Sequence, residues 1–253
     1  MRDLLKALAA GDIGPREVEA SLRGYVTGDA GRYDVARWER RGIPEAILGE
    51  GKTPDEAAEL AGLSLETTGY ALVTRADEAT RDAVVDRIES IETDVSVNRD
   101  ARGRLVAAWT EPRPDLDGRV AILTGGTADA TAAREAAAVI EAVGGEVDHI
   151  DDIGVAAIDR LLDQLERING ADVVIVAAGR EGSLPTVVAG LTACPVIALP
   201  VSSGYGAGGS GEAALLGALQ SCTVLTTVNV DAGYVAGGQA ALILQQLADA
   251  RSA

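Results

Sequence analysis

The side chains best suited to chemistry lie in short polar loops of the C-terminal half of the chain. Glu181 follows Arg180 in a Gly-Arg-Glu-Gly-Ser loop, where a carboxylate can act as a base and a guanidinium can hold a phosphate or carboxylate. Cys222 lies at the junction of a predicted helix and a predicted strand, where the carboxyl end of the helix disfavours a thiolate unless a cationic group offsets it. Simpler interpretations stay open, because a charged turn commonly faces solvent and a lone cysteine is commonly a small buried apolar residue.

The chain has one histidine, His149, and a second cysteine, Cys194. A Ser-His-Asp triad would have to use His149, and the sequence has no G-x-S-x-G nucleophile elbow, so we expect a structural histidine. Cys194 precedes a proline and an apolar run, which predicts an inert packing residue. Of the two cysteines, Cys222 is therefore the candidate for chemistry.

The loop Gly-Gly-Thr-Ala-Asp at 125–129 is a candidate anion site. Its glycines allow a ligand to approach the backbone closely, and Thr127 or Asp129 can cap the helix that follows. The exposed N–H groups at the start of that helix favour an anion such as phosphate. An ordinary capped turn between a strand and a helix explains the same residues.

The glycine-rich segment at 201–216 formally matches a dinucleotide fingerprint. Gly206, Gly208 and Gly211 have the spacing G-x-G-x-x-G, and Asp231 follows twenty positions later. The fingerprint belongs in the first turn of such a domain, directly after the strand, whereas this segment follows the fourth predicted strand with several residues between. We therefore favour a flexible glycine-rich lid or phosphate cradle over a nicotinamide-dehydrogenase site.

A regular alternation of strands and helices must position these loops. Apolar runs predict strands at 119–124, 146–150, 172–177, 195–199 and 223–229, separated by alanine-rich helical runs that include 212–220 and 234–248. Such alternation indicates βαβ units with right-handed crossovers, and hence a doubly wound parallel α/β sheet. Ligands of these sheets bind beyond the carboxyl ends of the strands, where the polar loops lie.

The N-terminal part predicts a smaller mixed α+β domain. Leucines at positions 4, 5 and 8 indicate a short amphipathic helix, Pro15 begins a helix predicted to run through Leu22, and Pro44 and Pro54 mark further helix starts. A strand is predicted at 70–74, a helix at 77–91 and a hairpin from 94–98 and 104–109. The proline-containing stretch 110–118 is the predicted linker, so we expect domains at 1–112 and 113–253.

Composition excludes several classes of function. The chain of 253 residues carries 22 Lys+Arg against 39 Asp+Glu, and the formal net charge of -17 argues against a nucleic-acid binder that neutralises phosphates. Only Lys6 and Lys52 are lysines and phenylalanine is absent, a composition typical of a salt-adapted acidic proteome. The N-terminal apolar stretch is short and interrupted by Lys6, so we expect no signal peptide, no membrane partner and a cytoplasmic location.

Residues 177–200 resemble a stretch of the class I aminoimidazole ribonucleotide carboxylases, the purine-pathway mutases. In that family the corresponding loop leads into a Leu-Pro helix start and then a strand beginning Pro-Val-Ile, and the loop 125–129 is similar to its phosphate-binding turn. The mutases place a catalytic histidine directly before Leu-Pro, and Ser183 occupies that position in this chain. The mutase activity is therefore an alternative that Ser183 disfavours.

A second resemblance, to the pyridinium-3,5-biscarboxylic acid mononucleotide synthases of the LarB family, spans both predicted domains. Segments similar to motifs of that family are the glutamate loop 179–185, Gly-Tyr-Gly at 204–206, Ser-Cys at 221–222, Asn-x-Asp-x-Gly at 229–233, and 34–37, 41–53 and 71–75 in the N-terminal part. Ala232 occupies a position that is usually asparagine in the family, which is a modest departure.

This resemblance implies a carboxylase and hydrolase that converts nicotinic acid adenine dinucleotide and carbon dioxide into the biscarboxylated mononucleotide and AMP. The implied catalytic residues are Cys222 as nucleophile, Glu181 and Asp231. The implied substrate-binding residues are Gly125, Gly126, Thr127, Asp129, Arg180, Gly182, Ser183, Tyr205, Gly206, Arg41, Lys52 and Arg75. Composition also favours Lys52, since a compact ammonium suits phosphate in a chain that otherwise uses arginine, although a solvated place near a helix cap explains it equally.

The expected partners are small molecules. No tightly bound cofactor is expected, carbon dioxide or bicarbonate is the co-substrate, and help from Mg²⁺ in the pyrophosphate cleavage is left open. The helices predicted at 212–220 and 234–248 are more apolar than one sheet face requires, so we expect a homo-oligomer built through the C-terminal domain. Related carboxylases assemble as octamers, which the resemblance extends to this chain. A nucleotide-binding module without catalysis is the remaining alternative.

Overall fold

The structure is a computed structural model that describes residues 2–15, 18, 22–91 and 94–252. The chain divides into two compact units, residues 1–112 and 113–253. The helix predicted from Pro15 through Leu22 lies largely outside the described residues.

The N-terminal unit combines a small mixed sheet with helices. Its helices are α1 (Arg2–Ala10), α2 (Arg37–Arg41), α3 (Pro54–Thr68) and α4 (Glu78–Glu89). Its strands are β1 (Val26–Gly28), β2 (Gly31–Tyr33), β3 (Ile47–Leu48), β4 (Tyr70–Thr74), β5 (Ser96–Asp100) and β6 (Leu105–Trp109). β1 and β2 form an antiparallel hairpin, and the other strands form a sheet in the order β3-β4-β6-β5, in which β3 and β4 run parallel and the other neighbours antiparallel.

Local chemistry explains α3 and the core beneath it. Thr53 and Glu56 form a capping box at the start of α3, Pro54 takes the first helical position, and Gly69 ends the helix in the left-handed conformation. The buried face of α3 packs with α4 and with β4 and β6 in one apolar cluster that includes Leu63 and Val73.

Most elements predicted for this unit are confirmed, with the hairpin strands and α4 shifted by one or two residues at their ends. The helix start predicted at Pro54 is confirmed, but the one predicted at Pro44 is wrong. Pro44 lies outside regular secondary structure in the segment that leads into β3, because proline also fits the chain just before a strand.

The C-terminal unit is a doubly wound α/β sheet. Its strands are β7 (Arg119–Thr124), β8 (Glu146–Ile150), β9 (Val173–Ala178), β10 (Val196–Pro200) and β11 (Thr226–Thr227). Its helices are α5 (Ala130–Ala142), α6 (Ile158–Leu162), α7 (Leu165–Asn169), α8 (Ser183–Ala189), α9 (Glu212–Leu219) and α10 (Gly233–Ser252). All five strands pair in parallel in the order β11-β10-β9-β7-β8, which confirms the predicted fold class.

The central strand β9 shows why both faces of this sheet are covered. Val173, Ile175 and Ala177 belong to a core shared with α5 and α10, while the alternate residues Val174 and Val176 belong to a core on the opposite face with α6, α7 and α8. Successive side chains of a strand point to opposite faces, so a continuous apolar run predicts a strand buried on both sides.

The strand predicted at 223–229 is wrong in its length. In the described part of the chain the strand comprises Thr226 and Thr227, the N–H of Val228 also donates to the carbonyl of Ala198, and Val224 is 95% exposed. β11 is the edge strand of the sheet, and edge strands are often short because a long unpaired edge invites pairing with another chain. The hydroxyls of Thr226 and Thr227 also approach carbonyls of β10.

None of the helices in the described part of the chain is long and apolar enough to cross a membrane.

Candidate functional site

A cavity of about 710 Å³ lies beyond the carboxyl ends of the strands in the C-terminal unit. It lies next to β7, from which the chain passes to β8 on one side and then crosses back over β7 to reach β9 on the other side. Loops diverge at such a point and leave a crevice for a ligand. Nine of the predicted site residues line it: Gly125, Gly126, Thr127, Asp129, Arg180, Glu181, Gly182, Ser183 and Tyr205.

Asp129 is the buried carboxylate of this cavity, with 6% of its surface exposed. Its Oδ2 accepts a hydrogen bond from the N–H of Gly126 at 2.8 Å, and its Oδ1 accepts one from the hydroxyl of Ser203. Burial raises the pKa of Asp129, although the bonds from Ser203 and the glycine backbone act in the opposite direction. Asp129 therefore binds a proton more readily than an exposed aspartate does.

A 3₁₀ turn at Thr127–Asp129 precedes α5, and Asp129 caps this turn and not α5 itself. The carboxylate accepts a hydrogen bond from the N–H of Gly126, the N-cap residue of the turn, so this N–H is already satisfied within the protein. This part of the cavity suits a hydroxyl or cationic group better than a phosphate.

Ser203 is a cavity residue that the sequence analysis missed. It follows β10, and its loop reaches Asp129 because Gly204 packs directly against the backbone of Arg180. A Cβ on Gly204 would lie 2.3 Å from the amide nitrogen of Arg180, so this position requires glycine. Hydroxyl residues are common in loops, and only the contact across the sheet distinguishes Ser203 from Ser202.

Glu181 and Ser183 form a hydrogen-bonded pair at the start of α8. The hydroxyl of Ser183 donates to Oε1 of Glu181 at 2.7 Å. This bond, a bond from the glutamate's own backbone and the nearby Arg180 charge lower the pKa of Glu181. Glu181 is thus an ionised hydrogen-bond acceptor at neutral pH, and its low basicity makes it a weaker proton acceptor than Asp129.

Gly182 allows the turn that brings this pair into the cavity. Its φ of 63° is left-handed, and an added Cβ would lie 2.5 Å from the Cα of Ala214 in α9. Glycine is therefore required here for both conformation and space.

Arg180 and Tyr205 form the outer wall of the cavity. The guanidinium of Arg180 lies 4.2 Å from the ring centroid of Tyr205, and Tyr205 is 78% exposed. A cation over an aromatic ring is a favourable contact. The face of Tyr205 thus already accepts one planar cation.

The charge of the cavity lining is predominantly negative. Asp129, Asp152 and Glu181 contribute carboxylates, while Arg180 contributes a guanidinium. Asp152 is a second residue that the sequence analysis missed, and it also forms an ion pair with Arg160 at 2.7 Å. The balance favours ligands with positive charge or hydroxyl groups.

Cys222 does not line this cavity. It is exposed in the segment between α9 and β11, and Ser221 beside it accepts a hydrogen bond from the hydroxyl of Thr186 at 2.9 Å. Thr186 belongs to α8, whose first residue is Ser183, so α8 connects the cysteine segment with the cavity loop. Within one copy of the chain, the segment that carries the predicted nucleophile therefore contacts the middle of α8, whereas the predicted binding loop leads into its first residue.

Asp231 and Gly206 are also outside the cavity lining. The Oδ1 of Asp231 accepts a hydrogen bond from the N–H of Ser202 at 2.9 Å, which ties the segment after β11 to the loop after β10. Asp231 thereby positions the loop that carries Ser203 and Tyr205. The glycines of the dinucleotide-like spacing lie in the turns of that loop and not directly after a strand.

Arg41, Lys52 and Arg75 belong to the N-terminal unit. Arg41 is exposed at the end of α2, and Lys52 donates from Nζ to the carbonyl of Leu48 at 2.9 Å. Arg75 follows β4 in a left-handed conformation, with its Nη1 3.6 Å from a carboxylate oxygen of Glu50.

The remaining candidates have structural surroundings. His149 lies on the edge strand β8, and its carbonyl accepts a bond from Arg167 at 3.0 Å. Cys194 packs against the core near α8, with its Sγ 3.1 Å from the carbonyl oxygen of Ala171. In the residues that the structure describes, no group of three His, Cys, Asp or Glu side chains is arranged to hold a metal ion.

Comparison with known proteins assigns both units to described families. The protein-family model described as AIR carboxylase matches residues 119–252, and the family model described as LarB/PurE-like N-terminal domain matches residues 25–107. An uncharacterised protein of Methanocaldococcus jannaschii is 35% identical over 250 residues, which cover 96% of each chain.

Two solved structures also match the chain. The crystal structure of Treponema denticola PurE is 20% identical, with a TM-score of 0.40, over 51% of this chain and 78% of its own. The crystal structure of a substituted form of Treponema denticola PurE2 is 22% identical, with a TM-score of 0.39, over 54% of this chain and 80% of its own.

The C-terminal unit is thus a carboxylase domain of the AIR carboxylase type. This domain follows a LarB/PurE-like N-terminal domain in the same chain, and the chain therefore belongs to the LarB family.

Proposed function

We propose that this protein carboxylates the pyridinium ring of nicotinic acid adenine dinucleotide and cleaves its pyrophosphate, producing pyridinium-3,5-biscarboxylic acid mononucleotide and AMP. The observation that carries the proposal is the hydrogen-bonded pair of Glu181 and Ser183 in the cavity. A purine mutase of the kind that this domain resembles needs a histidine at the position of Ser183, and the single histidine of this chain lies on β8, outside the cavity lining.

The cavity is suited to a pyridinium nucleoside. A pyridinium ring is a planar cation, and the cavity offers it three carboxylates and Tyr205, which is 78% exposed although one face of its ring holds the Arg180 guanidinium. The pair of Asp129 and Ser203 can accept and donate hydrogen bonds, which suits the hydroxyl groups of a ribose.

The chemistry assigned to Cys222 begins with addition of its thiolate to a ring carbon. A C–S bond forms, the ring π electrons move onto nitrogen, and the ring becomes a neutral enamine. The enamine carbon then attacks carbon dioxide and forms a C–C bond. Loss of the proton from that carbon to a base, followed by departure of the thiolate, restores the aromatic pyridinium. Cysteine suits this sequence because a thiolate is both a good nucleophile and a good leaving group.

Asp129 is the proposed acceptor of the ring proton. It is the cavity carboxylate with a raised pKa, whereas the pKa of Glu181 is lowered. Glu181 instead stabilises positive charge on the ring and orients Ser183. Carbon dioxide or bicarbonate is the co-substrate, and water cleaves the pyrophosphate to release AMP.

The exposed position of Cys222 leads us to propose a site shared between copies of the chain. Its thiol faces solvent beside Leu219, which is 62% exposed, and Val224. Apolar side chains on both sides of an exposed nucleophile favour a contact that covers them. In a homo-oligomer, Cys222 of one copy then reaches the ring bound in the cavity of a second copy.

The direct test supplies the dinucleotide with ¹³C-labelled bicarbonate in salt that keeps the protein folded. Mass spectrometry is expected to show a labelled, biscarboxylated mononucleotide together with equimolar AMP. The matched control replaces the substrate with aminoimidazole ribonucleotide, which should remain unchanged. Turnover of that control compound, with no labelled pyridinium product, would establish the purine mutase alternative instead.

A further inference from the structure

Two arginine side chains of the N-terminal unit converge on one carbonyl oxygen. Nη1 of Arg81 donates to the carbonyl of Ala76 at 2.7 Å, and Nε of Arg104 lies 3.4 Å from the same oxygen. Nη2 of Arg104 also lies 3.4 Å from the carbonyl of Arg75. The positively charged side chains of Arg81 and Arg104 therefore lie close together, since both approach the carbonyl oxygen of Ala76.

The sheet places these residues, which we name the arginine cluster (Arg75, Arg81 and Arg104), at one end of the N-terminal unit. Arg75 directly follows β4, and Arg104 directly precedes β6, the antiparallel neighbour of β4, so both lie at the same end of the sheet. Arg81 comes from the first turn of α4. Arg75 and Arg104 both have a φ of 53°, a conformation that is uncommon for long side chains.

Arg81 and Arg104 differ in their charge partners from two other arginines of the same unit. Arg87 and Arg99 in the same unit form ion pairs with Glu66 and Asp82. Among the described residues, neither Arg81 nor Arg104 forms an ion pair with a carboxylate, although the chain has a net charge of -17.

Two carboxylates near the arginine cluster balance its charge only in part. Asp77 is close, but its carboxylate caps α4 by accepting the N–H of Thr80 at 2.8 Å. Glu50 lies 3.6 Å from Arg75 and is 73% exposed, so solvent weakens this ion pair. An additional anion would therefore be attracted to the guanidinium groups of Arg81 and Arg104.

Arg81 supplies a second observation. It is 7% exposed, and its Nε has no hydrogen-bond partner among the residues that the structure describes. An unpartnered donor on a buried charge is costly, so native proteins normally satisfy such a group with protein, water or ligand. Each guanidinium has five N–H donors, so Arg81 and Arg104 can donate further hydrogen bonds to a ligand with several oxygens. Arg104 is exposed, so such a ligand can reach it from solvent.

We propose that the arginine cluster is a binding site for a phosphoryl group. Guanidinium forks match the oxygens of phosphate in pairs, and a dianion relieves the repulsion between neighbouring arginines more than a monoanionic carboxylate does. The arginine cluster belongs to the N-terminal unit, whereas the cavity of the C-terminal unit has a predominantly negative lining that is less suited to a phosphoryl group. The inference does not depend on the proposed carboxylation.

The test measures binding of inorganic pyrophosphate and phosphate to the full chain by isothermal titration calorimetry at constant ionic strength. Arg104→Gln is expected to weaken pyrophosphate binding about tenfold, the effect of losing one charge-assisted contact. Arg99→Gln removes the same charge from an exposed, paired arginine of the same unit, and it should change the affinity less than about twofold. Arg81→Lys keeps the buried charge but removes the fork, and it should weaken binding while circular dichroism shows a folded protein.

Three results would overturn the site. These are no pyrophosphate binding by the wild-type chain, equal losses in Arg104→Gln and Arg99→Gln, or a loss in Arg180→Gln that Arg104→Gln does not share. The last result would move phosphoryl binding to the C-terminal cavity. Acetate that binds as tightly as phosphate would contradict the assignment to phosphoryl groups. None of these readouts uses turnover, so they stand apart from the test of carboxylation.

Discussion

The hydroxyl of Ser203 donates a hydrogen bond to the buried carboxylate of Asp129 at 2.5 Å, across 74 positions of sequence. The bond joins the loop after β7 to the loop after β10, two strands that are separated in the sheet by β9. The other carboxylate oxygen of Asp129, Oδ2, accepts a hydrogen bond from the N–H of Gly126, so the carboxylate is oriented before any ligand binds.

Asp129→Asn tests the buried carboxylate through stability. The folded-state pKa of Asp129 is raised, so its contribution to stability is largest below the unfolded pKa and is lost as pH rises through the folded value. Asparagine does not titrate, and its amide can still accept from Gly126 and donate to Ser203. We expect the variant to gain stability relative to the wild type as pH rises from about 4 to about 7, as measured by urea unfolding. A difference that does not vary with pH would show that Asp129 is not perturbed.

Cys222→Ser and Cys194→Ala separate the two cysteines. The first should reduce carboxylation at least about 100-fold, because a serine alkoxide is inaccessible at neutral pH and leaves poorly. The second should retain activity and lose about 1 kcal/mol of unfolding free energy, since Cys194 packs against the core. Substantial product from Cys222→Ser, or loss of product only in Cys194→Ala, would refute the assignment.

Tyr205→Leu and Tyr205→Phe test the aromatic wall of the cavity. Leucine removes the ring that faces the Arg180 guanidinium, and we expect the KM for the dinucleotide to rise about three- to tenfold, the cost of one cation–π contact. Phenylalanine keeps the ring and should leave the KM within about twofold of wild type. Equal effects of both substitutions would assign the role to the phenolic hydroxyl instead.

Leu219→Glu and Val224→Asp test the proposed contact between copies. Each introduces a charge at an exposed apolar position beside Cys222, and light scattering in high salt should show a smaller assembly than for wild type. Asn169→Asp, at an exposed position at the end of α7, adds one charge elsewhere on the same unit and is the control. A monomeric wild-type protein would refute the homo-oligomer.

A mixture of two inactive variants tests whether the site is shared. Co-expressed Cys222→Ser and Asp129→Asn chains should recover part of the carboxylase activity, because some contacts then pair an intact cysteine with an intact cavity. The fraction recovered should follow the ratio of the two chains. Activity that stays absent in verified mixed assemblies would place both residues in one copy.

Asp148→Asn tests an ion-pair network at the sheet edge. Arg167 and Arg119 hold the pKa of Asp148 below its usual range, with Nη2 of Arg119 at 2.6 Å. A lowered carboxylate pKa contributes stability above the unfolded pKa, and this contribution is lost as pH falls through the folded value. The variant should therefore lose about 1–3 kcal/mol at pH 7 and approach wild type at acid pH. Asp115→Asn, at an exposed position in the linker, should have little effect at either pH.

The amino-acid sequence by itself determined the class of fold and most of its elements. Continuous apolar runs such as 119–124 and 173–178 have one stable solution, a parallel strand covered by helices on both faces. The same alternation placed the polar loops at the carboxyl edge of the sheet, so nine predicted residues lie in one cavity. Local signals also placed the start of α3, where Thr53, Pro54 and Glu56 act within one helical turn.

Only the tertiary structure decided which loop residues touch. The contact of Ser203 with Asp129, the negative lining of the cavity and the separation of Cys222 from it depend on side chains that are distant in sequence. The same holds for the convergence of Arg81 and Arg104 on Ala76. Sequence periodicity reports which face of an element is buried, whereas hydrogen bonds and charge contacts depend on distances of a few ångströms between loops. Those distances are set by the packing of the sheet and helices together.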